Sequence, residues 1–86
     1  MKYFVYLLIT KTNRQNISYV GFTSDLKHRI KLHNSGKGAK FTRGRKWILA
    51  YKKCYKSKSE ALKNEYLLKK NYKKRSVIKN KFLLNK

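Results

Sequence analysis

The sequence has little cysteine, little acid and no long apolar run, and each shortage excludes a class of protein. Cys54 is the single cysteine, so no intramolecular disulfide can form and a secreted, disulfide-stapled domain is excluded. No segment approaches the roughly 20 apolar residues that a bilayer-spanning helix needs. The apolar stretch from Tyr3 to Ile9 is too short for a signal peptide and lacks a small-residue cleavage site. We therefore expect a cytoplasmic protein.

The charge balance is strongly one-sided. The chain has 24 Lys and Arg against 3 Asp and Glu, a formal net charge of +21 over 86 residues. Such a charge destabilises the compact state unless salt or a polyanion screens it, and nucleic acid is the usual polyanion. A membrane surface would instead favour a basic amphipathic helix, whereas the apolar positions here are distributed over strands. The composition predicts one folded domain, residues 1–86, that binds nucleic acid and no membrane.

Hydrophobic patterns and capping residues predict the order strand, strand, helix, strand, helix, helix. Two β-branched and aromatic runs joined by a polar loop, Thr10 to Asn16, indicate an antiparallel hairpin. A hydroxyl N-cap before the first helix and the left-handed residue Gly36 after it mark its ends. The expected strands cover residues 3–9, 18–22 and 47–55; the expected helices begin at 23–25, 57 and 73 and end near 35, 71 and 86. We expect an α+β fold, with a small three-stranded, mainly antiparallel sheet flanked by helices.

Glu65 is the acidic residue that helix capping does not explain. Asp25 lies in the first turn of a helix, where its charge opposes the macrodipole, and Glu60 completes a capping box with Ser57. Glu65 instead shares a helical face with four less polar residues: Ala61, Leu62, Leu68 and Tyr72. A carboxylate there is costly unless it is paired or bound to a cation. A salt bridge to a lysine and a metal site are both open.

Arg29 and His33 fall on the same face of the first helix as its apolar residues. They are one turn apart, so the two side chains can address one ligand. An arginine directed at a sheet usually meets a carboxylate or a phosphate in a fork geometry. His33 is explained equally well as a hydrogen-bonded structural histidine.

Two phenols occupy the expected hairpin. Tyr6 lies in the first strand and Tyr19 in the second, and we expect them to be opposed across the hairpin. Because tyrosine is common in strands, ordinary packing explains either residue alone. Gly21 lies on the same strand face as Tyr19, and we predict that it contacts nucleic acid.

A basic, glycine-punctuated loop runs from residue 36 to residue 46. Glycine lets the backbone approach a phosphate closely, the cations neutralise it, and Phe41 offers a ring for stacking on a base. The cationic residues predicted to bind nucleic acid are Lys37, Lys40, Arg43 and Arg45. The loop is not a P-loop, and a solvated loop without function has the same composition.

Together these residues resemble the GIY-YIG endonucleases in order and spacing, and most closely the short stand-alone bacterial subgroup. The resemblance covers roughly residues 3 to 78, and residues 36–44, G-K-G-A-K-F-T-R-G, are similar to the subgroup's signature. Phe4 departs from the family pattern, which has glycine at that place. The matching positions are Phe4-Val5-Tyr6 and Tyr19-Val20-Gly21 for the two motifs, Arg29 and His33 on the helix, and Glu65 for the metal-binding glutamate.

The resemblance implies a metal-dependent DNA endonuclease that acts in DNA repair or processing and leaves 5′-phosphate and 3′-hydroxyl ends. Glu65 would hold one Mg²⁺ or Mn²⁺ ion, and Arg29 would fork onto the scissile phosphate. Tyr19 or Tyr6 would position or deprotonate the attacking water. Since a free phenol has a pKa of about 10, a nearby positive charge would have to favour its phenolate. His33 would be an auxiliary phosphate contact.

Two other hypotheses explain the charge equally well. One is a non-catalytic basic protein that binds DNA or RNA on the same fold. The other is a family member that binds DNA without cutting it, which Phe4 keeps open. Branched, nicked and single-stranded DNA are all candidate substrates, and RNA stays open because charge and stacking serve both nucleic acids.

Overall fold

The computed structural model describes residues 2–11 and 16–84 and has the element order that the sequence predicts. The strands form an antiparallel sheet in the order β2-β1-β3, so the predicted α+β class is confirmed. Part of the predicted loop from Thr10 to Asn16 and the last two residues of the expected third helix lie outside the described residues. The elements are β1 (Tyr3–Lys11), β2 (Asn16–Thr23), α1 (Leu26–Asn34), β3 (Ile48–Tyr55), α2 (Lys58–Lys70) and α3 (Tyr72–Leu84).

The helix ends follow from local chemistry. The N-cap of α1 is Asp25, whose carboxylate accepts a hydrogen bond from the backbone N–H of His28 at 3.1 Å. The expected hydroxyl cap was therefore wrong, because Thr23 instead accepts from the N–H of Asp25 and shapes the turn before the helix. Ser57 caps α2 by accepting from the N–H of Glu60, as predicted. Gly36 ends α1 with a φ of +81°, the left-handed conformation that favours glycine.

Strand β1 lies at the centre of the sheet and is covered on both faces. All residues from Val5 to Thr10 are buried, which explains why the stretch from Val5 to Ile9 does not alternate between apolar and polar residues. On one face Val5 and Leu7 pack with Val20 of β2 and with Ala61 and Leu68 of α2. On the other face a second cluster packs against α1; its members include Tyr6, Leu8, Tyr19, Leu26, Ile30 and Trp47. The two faces thus carry separate cores.

Helix α2 buries only part of the face that its sequence pattern predicts. Ala61 and Leu68 are buried, whereas Leu62 is 41% exposed and Tyr72, beyond the helix end, is 71% exposed. The helical face predicted for Glu65 is therefore not continuously buried: Leu62 is exposed within α2, and Tyr72 follows the helix end at Asn71 and belongs to α3. Within residues 2–11 and 16–84, none of the helices has the length and apolarity needed to cross a membrane.

Candidate active site

The strand register places Tyr6 opposite Gly21, and Tyr19 opposite Leu8. The expectation that the two tyrosines face each other directly was therefore wrong, because the hairpin pairs residues whose numbers sum to 27 and these two do not. Instead they are diagonal neighbours on one face of the sheet, with ring centroids 6.5 Å apart. The hairpin still brings both phenols to the side of the sheet that α1 covers.

Gly21 provides the space that the phenol of Tyr6 occupies. A Cβ atom at position 21 would lie only 2.6 Å from Cζ of Tyr6, so a larger residue would displace the ring. Both Tyr6 and Gly21 are buried. The structure therefore gives Gly21 a packing function beneath the phenol, at a position where the sequence suggested a nucleic-acid contact.

His33 connects Tyr6 to the basic loop through hydrogen bonds on both ring nitrogens. Its Nε2 lies 2.9 Å from the hydroxyl of Tyr6, and its Nδ1 lies 2.9 Å from Oγ1 of Thr42. The Thr42 hydroxyl donates to the carbonyl oxygen of Ala39 at 3.0 Å, so it accepts from Nδ1–H. Nε2 is then the acceptor, and the phenol of Tyr6 donates to it. This chain of bonds selects one neutral tautomer of His33.

The burial of His33 does not suit the phosphate contact expected from the sequence. The residue is 1% exposed, and both nitrogens are already engaged. Burial lowers the pKa of His33 below its ordinary value, and the positive charge of Arg29 lowers it further. The imidazole is therefore kept neutral, and its Nε2 accepts the hydrogen bond of the Tyr6 hydroxyl.

Residues that the sequence pattern did not indicate attach the basic loop to this series of hydrogen bonds. Thr42 is fully buried, and its carbonyl oxygen accepts from the indole Nε1 of Trp47 at 2.9 Å. A Cβ atom at Gly38 would lie 2.8 Å from Cγ of His33, so this glycine admits the imidazole. Threonine inside a basic loop gives no sequence signal of burial, although Gly38 and Thr42 both fall in the 36–44 stretch that carries the resemblance.

Arg29 and Glu65 both act electrostatically on Tyr6. Burial raises the pKa of Tyr6 well above its ordinary value, and the neighbouring Tyr19 raises it further; Arg29 lowers it and Glu65 raises it. The net shift is upward, so the positive charge expected to favour phenolate does not prevail. Arg29 on α1 and Glu65 on α2 therefore have opposite electrostatic effects on the pKa of one phenol.

Glu65 is the acidic side chain suited to a metal ion. Its side chain is 17% exposed and lies 3.8 Å from Nζ of Lys69, one turn along α2. The lysine side chain is 53% exposed, so solvent weakens this ion pair. Among residues 2–11 and 16–84, no three His, Cys, Asp or Glu side chains cluster as a metal site. Mg²⁺ commonly takes one or two carboxylates with water and substrate phosphate, so a single glutamate fits such an ion.

The basic loop and the end of α1 border an open cavity of about 620 Å³, and none of the described residues that line it is acidic. Lys37, Arg43 and Lys46 line it with exposed side chains, and Arg45 lines it with a half-buried one. Nη1 of Arg45 is buried and has no hydrogen-bond partner among the residues that the structure describes, although buried donors are normally satisfied. Lys40 is exposed in the same loop but does not line the cavity. The arrangement suits an anion such as a phosphate.

Phe41 links this loop to the second phenol. Its ring stacks on Tyr19 with centroids 6.1 Å apart and an interplanar angle of 23°. The guanidinium of Arg45 lies 5.4 Å from the centroid of the Phe41 ring. Because Phe41 remains 51% exposed, part of the ring is accessible to a base. Phe41, Tyr19 and the buried Tyr6 thus form one continuous series of ring contacts.

Comparison with known proteins identifies relatives over most of the chain. The family model described as the GIY-YIG catalytic domain matches residues 2–81. A UPF0213 protein of Staphylococcus haemolyticus is 42% identical over 69 residues, which cover 79% of this chain and 80% of the relative. A UPF0213 protein of Staphylococcus epidermidis is 46% identical over 69 residues, with the same two shares. The solution NMR structure of the UPF0213 protein BH0048 from Bacillus halodurans is 39% identical, with a TM-score of 0.53, and the match covers 94% of this chain and 86% of that one.

Proposed function

The chain belongs to the GIY-YIG family, and from that premise we propose that it is a metal-dependent DNA endonuclease producing 5′-phosphate and 3′-hydroxyl ends. Family membership implies a nucleic-acid substrate. Our proposal adds three points: the nucleic acid is DNA, the protein hydrolyses it, and residues 1–86 form one nuclease domain. The observation that carries it is Tyr6, which hydrogen-bonds to His33 and feels the charges of both Arg29 and Glu65. Packing alone requires no such convergence on a phenol.

Tyr6 and His33 would share the work of a general base. The attacking water transfers a proton to the phenolic oxygen of Tyr6 as its own oxygen bonds to phosphorus, while the phenol passes its proton to Nε2 of His33. The bond from phosphorus to the 3′ oxygen breaks, and solvent protonates that oxygen. The proton ends on His33, so no free phenolate forms. This route agrees with the raised pKa of Tyr6, which disfavours the anion.

Arg29, Tyr19 and Glu65 would bind the reacting groups. Arg29 binds the scissile phosphate and balances its growing charge, and Tyr19, half-buried beside Tyr6, positions the water. Glu65 would hold one Mg²⁺ or Mn²⁺ ion, which supplies further stabilisation of charge on the phosphoryl oxygens. Family members generally use a divalent metal, so Lys69 would have to release the carboxylate when the ion binds.

The basic loop would hold the DNA backbone. Lys37, Arg43 and Arg45 line one cavity, so their positive charges can act together on a phosphate. Lys40 extends the positive surface, and Phe41 offers its exposed face to a base. Gly21 and His33 lie beneath this surface and hold Tyr6 in position.

A non-catalytic nucleic-acid-binding protein is the second candidate. The pair of Glu65 and Lys69 favours it, because a carboxylate already matched with a lysine does not require a metal. Binding would then use the loop and the net charge of +21 without any chemistry.

Incubation of the purified protein with nicked, branched, single-stranded and duplex DNA, and with RNA, separates the two candidates. Each substrate is tested with Mg²⁺, with Mn²⁺ and with EDTA. We expect chelator-sensitive cutting of at least one DNA, with product ends that DNA ligase can rejoin. Tight binding of every substrate without cleavage under any condition would favour the binding protein. Cutting of RNA alone would retain the mechanism and reject DNA as the substrate.

A further inference from the structure

A second cavity lies across the sheet from Tyr6. It has a volume of about 520 Å³ and is bounded by β1, β3, α2 and α3. Val5 lines it, and Val5 and Tyr6 point to opposite faces of the central strand, so the cavity is separate from the candidate active site. We name it the back groove; its polar and aromatic lining consists of Tyr51, Tyr55, Asn64, Lys70, Asn71 and Lys74.

The two lysines that line the back groove each lie against an aromatic ring. Nζ of Lys74 lies 5.7 Å from the ring centroid of Tyr51. Nζ of Lys70 lies 4.6 Å from the ring centroid of Tyr66, a residue of α2 that is 55% exposed and does not line the groove. Cations held against aromatic rings keep their charge next to an apolar surface. The groove therefore presents positive charge and stacking surface side by side.

Among the described residues, none that lines the back groove is acidic. Glu60 acts from outside it: burial raises the pKa of Tyr55, with smaller contributions from Tyr51 and then from Glu60. Glu60 is exposed at the start of α2, where its backbone N–H and carboxylate both contact the Ser57 hydroxyl. A negatively charged ligand in the groove would therefore meet lysines and amides.

We propose that the back groove binds a single-stranded segment of nucleic acid, with phosphates on Lys70 and Lys74 and a base on the ring of Tyr51 or Tyr55. Proteins that bind single strands combine a positive groove with aromatic rings, because every base has a face that stacks. An acidic peptide would match the charge but not the rings. A small apolar ligand would match the rings but leave the lysines unused.

This site is independent of the proposed cleavage reaction. The back groove and the basic loop lie on opposite faces of the sheet, so a strand could occupy the groove whether or not the protein cuts DNA. If the endonuclease activity is also present, the two sites would suit a substrate in which a single strand leaves a duplex. Binding can be measured in EDTA, where metal-dependent cleavage does not occur.

The test uses NMR titration of the full chain with an oligothymidylate, followed by salt-dependent affinity measurements on matched variants. We expect amide shifts at Lys70, Asn71 and Lys74, and upfield shifts of the Tyr51 or Tyr55 ring protons. The double variant Lys70→Gln/Lys74→Gln should flatten the slope of log affinity against log salt by about 1.4, since each phosphate contact on a single strand contributes about 0.7.

The control variant is Lys56→Gln/Lys58→Gln, which removes the same charge from exposed positions outside the groove. Equal slopes for the two variants, or oligothymidylate shifts confined to residues 36–46, would overturn the proposal. Polyglutamate serves as a polyanion without bases. If it displaces oligothymidylate from the groove at equal charge concentration, the site recognises charge alone and the proposal fails.

Discussion

Nε2 of His33 lies 2.9 Å from the hydroxyl of Tyr6, and its Nδ1 is held by the buried hydroxyl of Thr42. A threonine of the basic loop thus determines which imidazole nitrogen can receive the phenolic proton. The loop that would bind DNA and the group that would activate water are parts of one hydrogen-bonded chain. The predictions below follow from this relationship and from the charges around it.

Thr42→Val should disturb the tautomer of His33, whereas Thr42→Ser should preserve it. Valine keeps the shape of threonine but cannot accept from Nδ1–H, and a buried donor without a partner costs about 1–3 kcal/mol. The ring ¹⁵N shifts of His33 should report a neutral Nδ1–H tautomer in the wild type and in Thr42→Ser. Cleavage by Thr42→Val should fall by about tenfold or more, part of the 10²–10⁴ that general base catalysis supplies. An Nε2–H tautomer in the wild type would contradict the assignment.

Gly21→Ala and Gly38→Ala should each destabilise the protein by about 1–3 kcal/mol, because added methyl groups overpack a filled space. The alanine side chains would collide with Tyr6 and His33 respectively. Urea denaturation measures the change in the free energy of unfolding. Gly44→Asn is the control: its φ is +76° and no atom lies within 4 Å of an added Cβ, a setting that asparagine tolerates. An equally large decrease in the free energy of unfolding of Gly44→Asn would argue against the packing explanation.

The lowered pKa of His33 predicts acid-sensitive stability. The unfolded histidine binds a proton near pH 6.5, whereas the folded one resists it until a lower pH because of burial and Arg29. The free energy of unfolding should therefore fall as the pH drops below about 6.5, by at most about 1.4 kcal/mol per pH unit. The uncharged groups facing His33 are Tyr6 of β1, Tyr19 of β2 and Thr42 of the loop.

Urea titrations between pH 5 and pH 8 measure this dependence. His33→Gln should lose most of the slope, and His28→Gln, at an exposed position on the same helix, should keep it. An unchanged slope in His33→Gln would show that another group controls the transition. For the same reason, cleavage should persist below pH 6.5, because His33 stays neutral there and can still accept a proton.

Glu65→Gln should reduce metal-dependent cleavage by about 10²-fold or more, the usual effect of removing one transition-state charge interaction. DNA binding in EDTA should stay near wild type, because the loop and its cations are untouched. Glu60→Gln is the matched control, since this carboxylate is exposed and makes a helix cap. Full activity in Glu65→Gln would remove this residue from the mechanism. Comparable losses in both variants would point to general electrostatics.

Lys37→Gln/Arg43→Gln should flatten the slope of log affinity for duplex DNA against log salt by about two units, since each phosphate contact contributes about 0.9. Both side chains line the basic cavity. Lys56→Gln/Lys58→Gln removes the same charge elsewhere and should change the slope less. If both variants gave the same slope, the loop would have no preferred contact with the backbone.

The sequence by itself determined the order of the elements and some of their ends, because these depend on neighbours along the chain. Runs of β-branched and aromatic residues indicate strands, Ser57 and Glu60 cap α2, and Gly36 ends α1 in the left-handed conformation. The resemblance also identified Tyr6, Tyr19, Arg29, His33 and Glu65 as a set, although their roles remain proposals.

Only the tertiary structure decided which groups meet, because strand register and burial arise from contacts between residues far apart in sequence. Register placed Tyr6 opposite Gly21 rather than opposite Tyr19. Packing of the loop buried Thr42 and turned His33 inward, away from the surface where a phosphate would bind. Composition could show that the chain is basic, but only folding gathered Tyr51, Lys70 and Lys74 into a groove on the face that the phenol of Tyr6 does not share.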